Sequence, residues 1–213
     1  KVISMGDEVD IATSAASMRK IREVDVCIVL LDASRQDGVM HQQDLAIINA
    51  VIDAGKGLVL AVNKSDLLSD RQKRAILKTK DKMLAERLSE IGEVPLVLVS
   101  GETGDGLAAL MSSALEVHRR WRFSASSSTL MRWLVDLKRV GAVARLSDPK
   151  LKFARQVDSA PPTFVISVSR AEKASGPFLA FLRNSLRARF GLDGIPLHIH
   201  VREASKKERK DKH

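Results

Sequence analysis

The sequence predicts an α/β unit built on a parallel sheet with flanking helices, followed by a small α+β module. Three observations predict it. Apolar runs of strand length alternate with helical stretches as far as about residue 122. Such runs, continuous rather than alternating, belong to parallel sheets covered on both faces. The order then changes to helix, strand, strand, helix, strand. The charge changes at the same place: 17 Lys+Arg stand against 18 Asp+Glu through Arg122, and 18 against 8 from Phe123 onward. The whole net charge of +9 therefore belongs to the second part, where its field attracts phosphate polymers.

The elements follow in order. Val24–Leu31 is apolar and β-branched and ends at Asp32, which predicts a strand; Cys27 within it reads as a small buried hydrophobe. Gln42–Ala54 repeats Leu45, Ile48 and Ile52 at helical spacing and stops at Gly55, a suitable C-terminal cap. Gly57–Val62 is a second buried strand. Ser69–Glu90 is a long charged helix with apolar Ile76, Leu77, Met83, Leu84 and Leu88. Pro95–Val99 is a third strand and Gly106–Val117 a third helix. Phe123–Ser128 holds a serine cluster suited to linking domains or capping a helix. Beyond it, Leu130–Val140 is helical and ends at Gly141. Lys150–Val157 and Thr163–Val168 are strands around the turn Ser159–Pro162, Pro177–Phe190 is a helix, and Ile195–Val201 is the last strand. The charged tail Ser205–His213 is expected to be disordered. No internal repeat is present.

Ligands of parallel sheets sit beyond the carboxyl ends of the strands. Two loops fall there: Asn63-Lys64-Ser65-Asp66 and Ser100-Gly101-Glu102-Thr103. Guanine presents donors at N1 and N2 and an acceptor at O6, the reverse of adenine. A carboxylate at Asp66 accepts both donors at once; facing adenine it is left unpaired, which makes such a site selective. Asn63 bridges the loops and reaches the O6/N7 edge, and Lys64 lays its methylene stem over the base. The backbone N–H near Gly101 is placed to donate to O6, with Ser100 bracing the loop. The tetrapeptide alone is a weak signal; two loops at adjacent strand ends make a guanine-binding constellation of Asn63, Lys64, Asp66, Ser100 and Gly101.

The partner motifs for phosphate are not in these residues. A phosphate cradle is written G-x-x-x-x-G-K-[ST], and the one Gly-Lys pair, Gly55-Lys56, is followed by Gly57. No D-x-x-G occurs to help hold Mg²⁺. On these residues alone no phosphoryl group is positioned, and no GTP hydrolysis is expected.

From about Ser17 to Arg202 the sequence resembles the back half of the EngA/Der family, bacterial-type GTPases with two tandem G domains and a C-terminal KH-like domain. Asp25–Ala33 with Gln43-Asp44 resembles the second G domain after its switch II, and Asn63-Lys64-Ser65-Asp66 is similar to its guanine motif. Ser128–Val140, Lys150–Ala154, Pro161–Val165 and Phe190–Leu197 resemble the KH-like domain. Ser65 and Gly101 depart from the Trp and Ala usual in the family. The resemblance implies an α/β fold: a partial P-loop-GTPase-type parallel sheet over residues 1–122 lacking the phosphate loop, a KH-like RNA-binding domain over 123–203, and a basic tail over 204–213. It implies GTP or GDP as ligand, Mg²⁺ only together with the phosphate-binding half, and large-subunit ribosomal RNA and ribosomal proteins as partners. The implied role is assembly of the large ribosomal subunit, with GTP hydrolysis by the intact parent; the alternative is a non-catalytic RNA-binding assembly factor with a degenerate G domain. The first residue is not Met, so the chain reads as a fragment or a processed form. The loosened motifs lean toward an organellar member in the mitochondrial matrix over one in the bacterial cytoplasm.

Candidate RNA contacts are Lys150, Lys152, Arg155, Arg183, Arg187 and Arg189. Arg183 and Arg187 share a helix face by spacing, and Lys150 and Lys152 a strand face. Gly191-Leu192-Asp193-Gly194 fits the G-x-x-G of KH loops, and helix capping with a turn explains it equally well. Aromatic residues make up only 4%, with no Tyr, which argues against base-stacking platforms. Trp121 and Trp133 read as packing residues, and His198 and His200 as ordinary strand residues. One cysteine excludes a disulfide framework, no disulfide partner is expected, and no apolar run approaches the ~20 residues of a membrane span.

Overall fold

The computed structural model describes residues 19–35, 39–83, 88–139 and 149–205. They fall into two compact units, Lys1–Leu84 with Val94–His118, and Ala85–Glu93 with Arg119–His213. In chain order the elements are β1 (Val26–Asp32), α1 (Gln42–Asp53), β2 (Gly57–Asn63), α2 (Asp70–Met83), α3 (Leu88–Ile91), β3 (Leu96–Leu98) and α4 (Leu107–Trp121). They continue with α5 (Ser127–Arg139), β4 (Leu151–Ser159), β5 (Pro162–Val168), α6 (Gly176–Phe190) and β6 (His198–Glu203). The expected elements are present with ends shifted by a few residues, except that the single helix expected over Ser69–Glu90 is described as two, α2 and α3, on either side of residues 84–87, which lie outside the described residues. Leu84, Gly141 and the tail 206–213 lie outside the described residues.

In the first unit β1, β2 and β3 form a parallel sheet in that order. β2 is central, and Leu58 through Val62 are buried, as a strand paired on both edges requires. α1 packs against β1 and β2 and buries Ile48, Val51 and Ile52. Its end is closed at Gly55, whose N–H donates to Ile52 O, while Lys56 N–H reaches Val51 O. These two bonds satisfy carbonyls the helix itself cannot. α2 opens with a capping box: Gln72 Oε1 accepts from Ser69 N–H, and Ser69 Oγ accepts from Gln72 N–H.

The expectation that both sheet faces are covered holds for β2 and fails for β1. There burial alternates, with Val29 and Leu31 inside and Ile28 and Leu30 exposed at 41% and 58%. Cys27 is half-buried rather than buried, and burial pushes its thiol pKa up. A continuous apolar run does not say which of its faces is covered; only the neighbouring elements do.

The second unit packs α5 against β4 in a sheet ordered β4-β5-β6. β4 runs antiparallel to β5, and β6 runs parallel to it. Leu130, Trp133, Leu134, Phe164, Ile166, Phe178, Leu182 and Leu186 build its core. Trp133 is a packing residue, its Nε1–H donating to Ser185 Oγ at 2.9 Å. The serine cluster caps α5: Ser126 Oγ accepts from Thr129 N–H. Ser175 does the same for α6, with Pro177 in the first turn where a missing N–H costs nothing.

Candidate functional site

The parallel register aligns the carboxyl ends of the strands. Asp32 stands opposite Asn63, Val62 opposite Leu98, and Val99 N–H donates to Val62 O. The loops at 32–35, 63–68 and 99–105 therefore share one edge of the sheet, the edge where the sequence places its two motifs.

The two motif loops are bonded to each other. Gly101 N–H donates to Asn63 Oδ1 at 3.0 Å, and Ser65 N–H donates to Val99 O at 3.0 Å. Asn63 thus bridges the loops as expected. With its carbonyl oxygen engaged, its Nδ2 keeps two donors for an acceptor in front of the loops. The same bond engages the Gly101 N–H that the sequence expectation aimed at O6, so that donor is already taken up between the loops. Ser100 is buried, and its Oγ accepts from Thr103 N–H at 3.1 Å. Its own backbone bonds to Asp105 and Gly104 close the turn. Ser100 braces the loop, as the sequence indicated.

Lys64 sits at φ 63°, the left-handed region that costs a non-glycine residue about 1–2 kcal/mol. The strain turns its side chain back over the strand ends. Its Nζ donates to Asp32 Oδ2 at 2.9 Å and to Ser34 Oγ at 3.1 Å. Both side chains of the ion pair remain partly exposed, so it adds little to stability; its consequence is orientation. The Ser34 hydroxyl, then Lys64, hold the Asp32 carboxyl well below the usual carboxylate range. Asp32 and Ser34 were missed by the sequence reading, although Asp32 ends the strand beside the motif-bearing one. Asp66 follows in a short 3₁₀ turn (Ser65–Leu67) and is exposed. Among the described residues no ion pair or hydrogen bond neutralises it. The site therefore offers one free carboxylate, one free amide donor pair and a tethered lysine stem along a single edge. Among the described residues no cluster of three His, Cys, Asp or Glu suits a metal ion.

The 100–104 loop depends on Gly106. Its φ is +77°, and a Cβ there would lie 2.1 Å from Leu98 O, a backbone atom of the paired strand. Gly106→Ala is expected to cost about 2 kcal/mol or more, because strain at positive φ adds to a clash that no side chain can relieve. Thermal unfolding of the variant checks this.

The six predicted cations of the second unit separate. Arg155 and Lys150 are exposed, and Lys152 and Arg183 are half-buried. Lys150 precedes β4 and Lys152 falls in a register shift between Leu151 and Phe153, so the two do not share a regular strand face. Lys152 instead lies near Lys138, whose pKa is lowered by burial and by that neighbour. Arg189 is exposed and 3.8 Å from Asp136. Arg187 is the correction: it is 4% exposed and donates to Glu90 O and Ile195 O, so it is not offered to RNA. Burial pulls its pKa down to about 10. Gly191 is the left-handed cap of α6, its N–H donating to Arg187 O, and it accounts for the first glycine of the G-x-x-G. No described helix is long and apolar enough to cross a membrane.

Two family models match the chain, one on each side of about residue 122. Residues 14–120 match the model of the elongation factor Tu GTP binding domain. Residues 125–202 match that of the KH-domain-like C-terminal domain of EngA bacterial GTPase enzymes. The chain belongs to the EngA/Der family. Among its EngA/Der relatives, GTPase Der of Parvibaculum lavamentivorans is 33% identical over 196 residues, covering 89% of this chain and 39% of that protein. GTPase Der of Rhizobium etli is 35% identical over 203 residues, covering 92% and 42%. The chain thus spans about two fifths of the length of the curated relatives it matches. Among solved structures, Aquifex aeolicus Era bound to GDP·AlF₄⁻ aligns at 16% identity with a TM-score of 0.45, covering 100% of this chain and 76% of that one.

Proposed function

We propose that this chain supplies the base-reading and RNA-docking parts of a GTP-binding assembly factor for the large ribosomal subunit. The observation that carries the reading is the bond between Asn63 Oδ1 and Gly101 N–H, which joins two loops distant in sequence beside the free carboxylate of Asp66. In this reading Asp66 accepts from guanine N1–H and N2–H, Asn63 Nδ2 donates to the O6/N7 edge, and Lys64 covers the base face. Ser100 holds the second loop in place. GTP or GDP is the ligand. Phosphate binding, Mg²⁺ and hydrolysis belong to the part of the family's G domain whose motifs these residues do not carry. Large-subunit ribosomal RNA, with its proteins, is the partner of the second unit, through the exposed cations Lys150, Arg155 and Arg189 and the half-buried Lys152 and Arg183. The charge of residues 123–213 supports an anionic polymer as partner.

Titration of the full-length protein with GDP and ADP tests the nucleotide half. GDP is expected to bind at least about 100-fold tighter, because adenine leaves the Asp66 carboxylate without a donor. Equal and negligible binding of both would leave a non-catalytic RNA-docking factor with a degenerate G domain.

A further inference from the structure

The sheet of the second unit has one face that holds its buried residues and another that is more exposed, and the strand register states what the second displays. Arg155 of β4 stands opposite Val165 of β5, and Val165 opposite His200 of β6. One row along, Asp158 stands opposite Thr163, and Thr163 opposite His198. The alternate residues of β5 and β6, Phe164, Ile166, Ile199 and Val201, take the opposite face, where Phe164 and Ile166 are fully buried. Arg155, His198 and His200 are all exposed. The face thus carries two imidazoles and the Arg155 guanidinium, and the same alternation places half-buried Arg202, opposite Ser167, next along β6 after His200.

Its only acid in these rows is Asp158, whose Oδ1 accepts from Ala160 N–H at the tip of the hairpin. From α6, Arg183 lies close enough to act on His198. Burial, then His200 and then Arg183, hold the His198 imidazolium below its ordinary range. β5 contributes no charge here, since Thr163 and Val165 are neutral. The cations on this face repel one another and outnumber Asp158, the one acid set among them in these rows. A sheet face in that condition gains most from an anion supplied from outside.

We propose that His198 and His200, with Arg155 across the sheet, contact the phosphate backbone of RNA, and that protons taken up by the two imidazoles strengthen the binding. This rests on the RNA-docking reading and adds a place and a control to it. The sign follows from linkage. A phosphate beside an imidazole favours its charged form, so each histidine titrates at a higher pH in the complex than in the free protein. The added affinity is complete below the free-state value and disappears as pH rises through the bound-state value. A shift of about one unit per histidine corresponds to about tenfold in affinity for each. Neither motif spacing nor the family match singles out these two residues, which sequence alone left as ordinary strand positions.

The test uses the whole chain and a fluorescent oligouridylate, whose bases do not titrate near neutrality, at constant ionic strength. Affinity is expected to rise about tenfold or more from about pH 8 to about pH 6. The salt dependence, measured at each pH, should be steeper at the lower one by about 0.7 in log–log slope for each additional phosphate that the imidazoles neutralise. The variant carrying His198→Gln and His200→Gln should lose the rise; both positions are exposed, and circular dichroism checks its fold. Arg155→Gln should weaken binding at both pH values and keep the rise. A rise of the same size in the double glutamine variant would overturn the proposal, as would a flat profile in a wild-type chain that binds RNA measurably. Poly-glutamate displacing the RNA at equal charge concentration would overturn it in favour of an acidic protein partner. Failure to bind RNA at every pH would instead bring down the RNA-docking reading on which it rests.

Discussion

Asp66→Ala in the full-length protein is expected to lower the preference for GDP over ADP by about two orders of magnitude, with little change in ADP binding. The carboxylate is exposed beside the Asn63–Gly101 bridge and has no partner among the described residues. It is therefore free to accept two hydrogen bonds from one base edge. Hydrogen bonds to a charged group contribute about 1.5–3 kcal/mol each, and two of them to one ligand exceed the ~2.7 kcal/mol that a hundredfold ratio requires. Adenine offers no donor pair in that position, so its binding never included the contact and has little to lose. Asp66→Asn should fall close to the alanine variant, because its amide group turns a donor toward guanine donors. Calorimetric titration of the three proteins with both nucleotides measures the ratio. An unchanged ratio in the alanine variant would remove Asp66 from base recognition.

What could be read from sequence, and what could not, divides along the range of the interactions. β2 was legible because Gly57–Val62 is apolar on both faces, and the centre of a parallel sheet is the place that tolerates this. The pairing of the motif loops was legible because both follow predicted strands, and parallel strands bring their carboxyl ends to one edge. The serine and glycine caps of α1, α5 and α6 act within a turn of their own position and are written locally. The tether of Lys64 to Asp32 and Ser34 spans about thirty residues and depends on a left-handed backbone at Lys64, which a lysine does not announce. The exposure of Ile28 and Leu30 was hidden by an apolar run that looks the same whether one face is covered or both. The grouping of Arg155, His198 and His200 needs the register of three strands, and no single strand states it.

Arg187 is the position where the sequence and the structure part furthest, and it carries the largest expected effect on stability. Spacing puts it one turn after Arg183 on α6, and composition makes both look like surface cations. The helix instead turns Leu182, Leu186 and Arg187 inward. Two carbonyls face it there: Glu90 O, at the end of α3, and Ile195 O, before β6. The guanidinium binds both, and Asp193, whose carboxylate accepts from Glu93 N–H, adds a favourable charge. Gly194 N–H donates to Ile91 O alongside, so Arg187 helps fasten residues 90–93 to the turn at 193–195. Arg187→Ala removes the side chain that fills this space and takes the charged donor away from both carbonyls, at about 1–3 kcal/mol each. A loss of about 3–5 kcal/mol is expected for the second unit in urea unfolding. Arg187→Met keeps most of the volume and removes the buried charge, so its loss should be about half as large. Where the variants remain folded, the salt dependence of RNA binding should match that of the wild type, since a buried guanidinium neutralises no phosphate. A slope shallower by about 0.7 in the methionine variant would mean instead that Arg187 reaches the RNA after all.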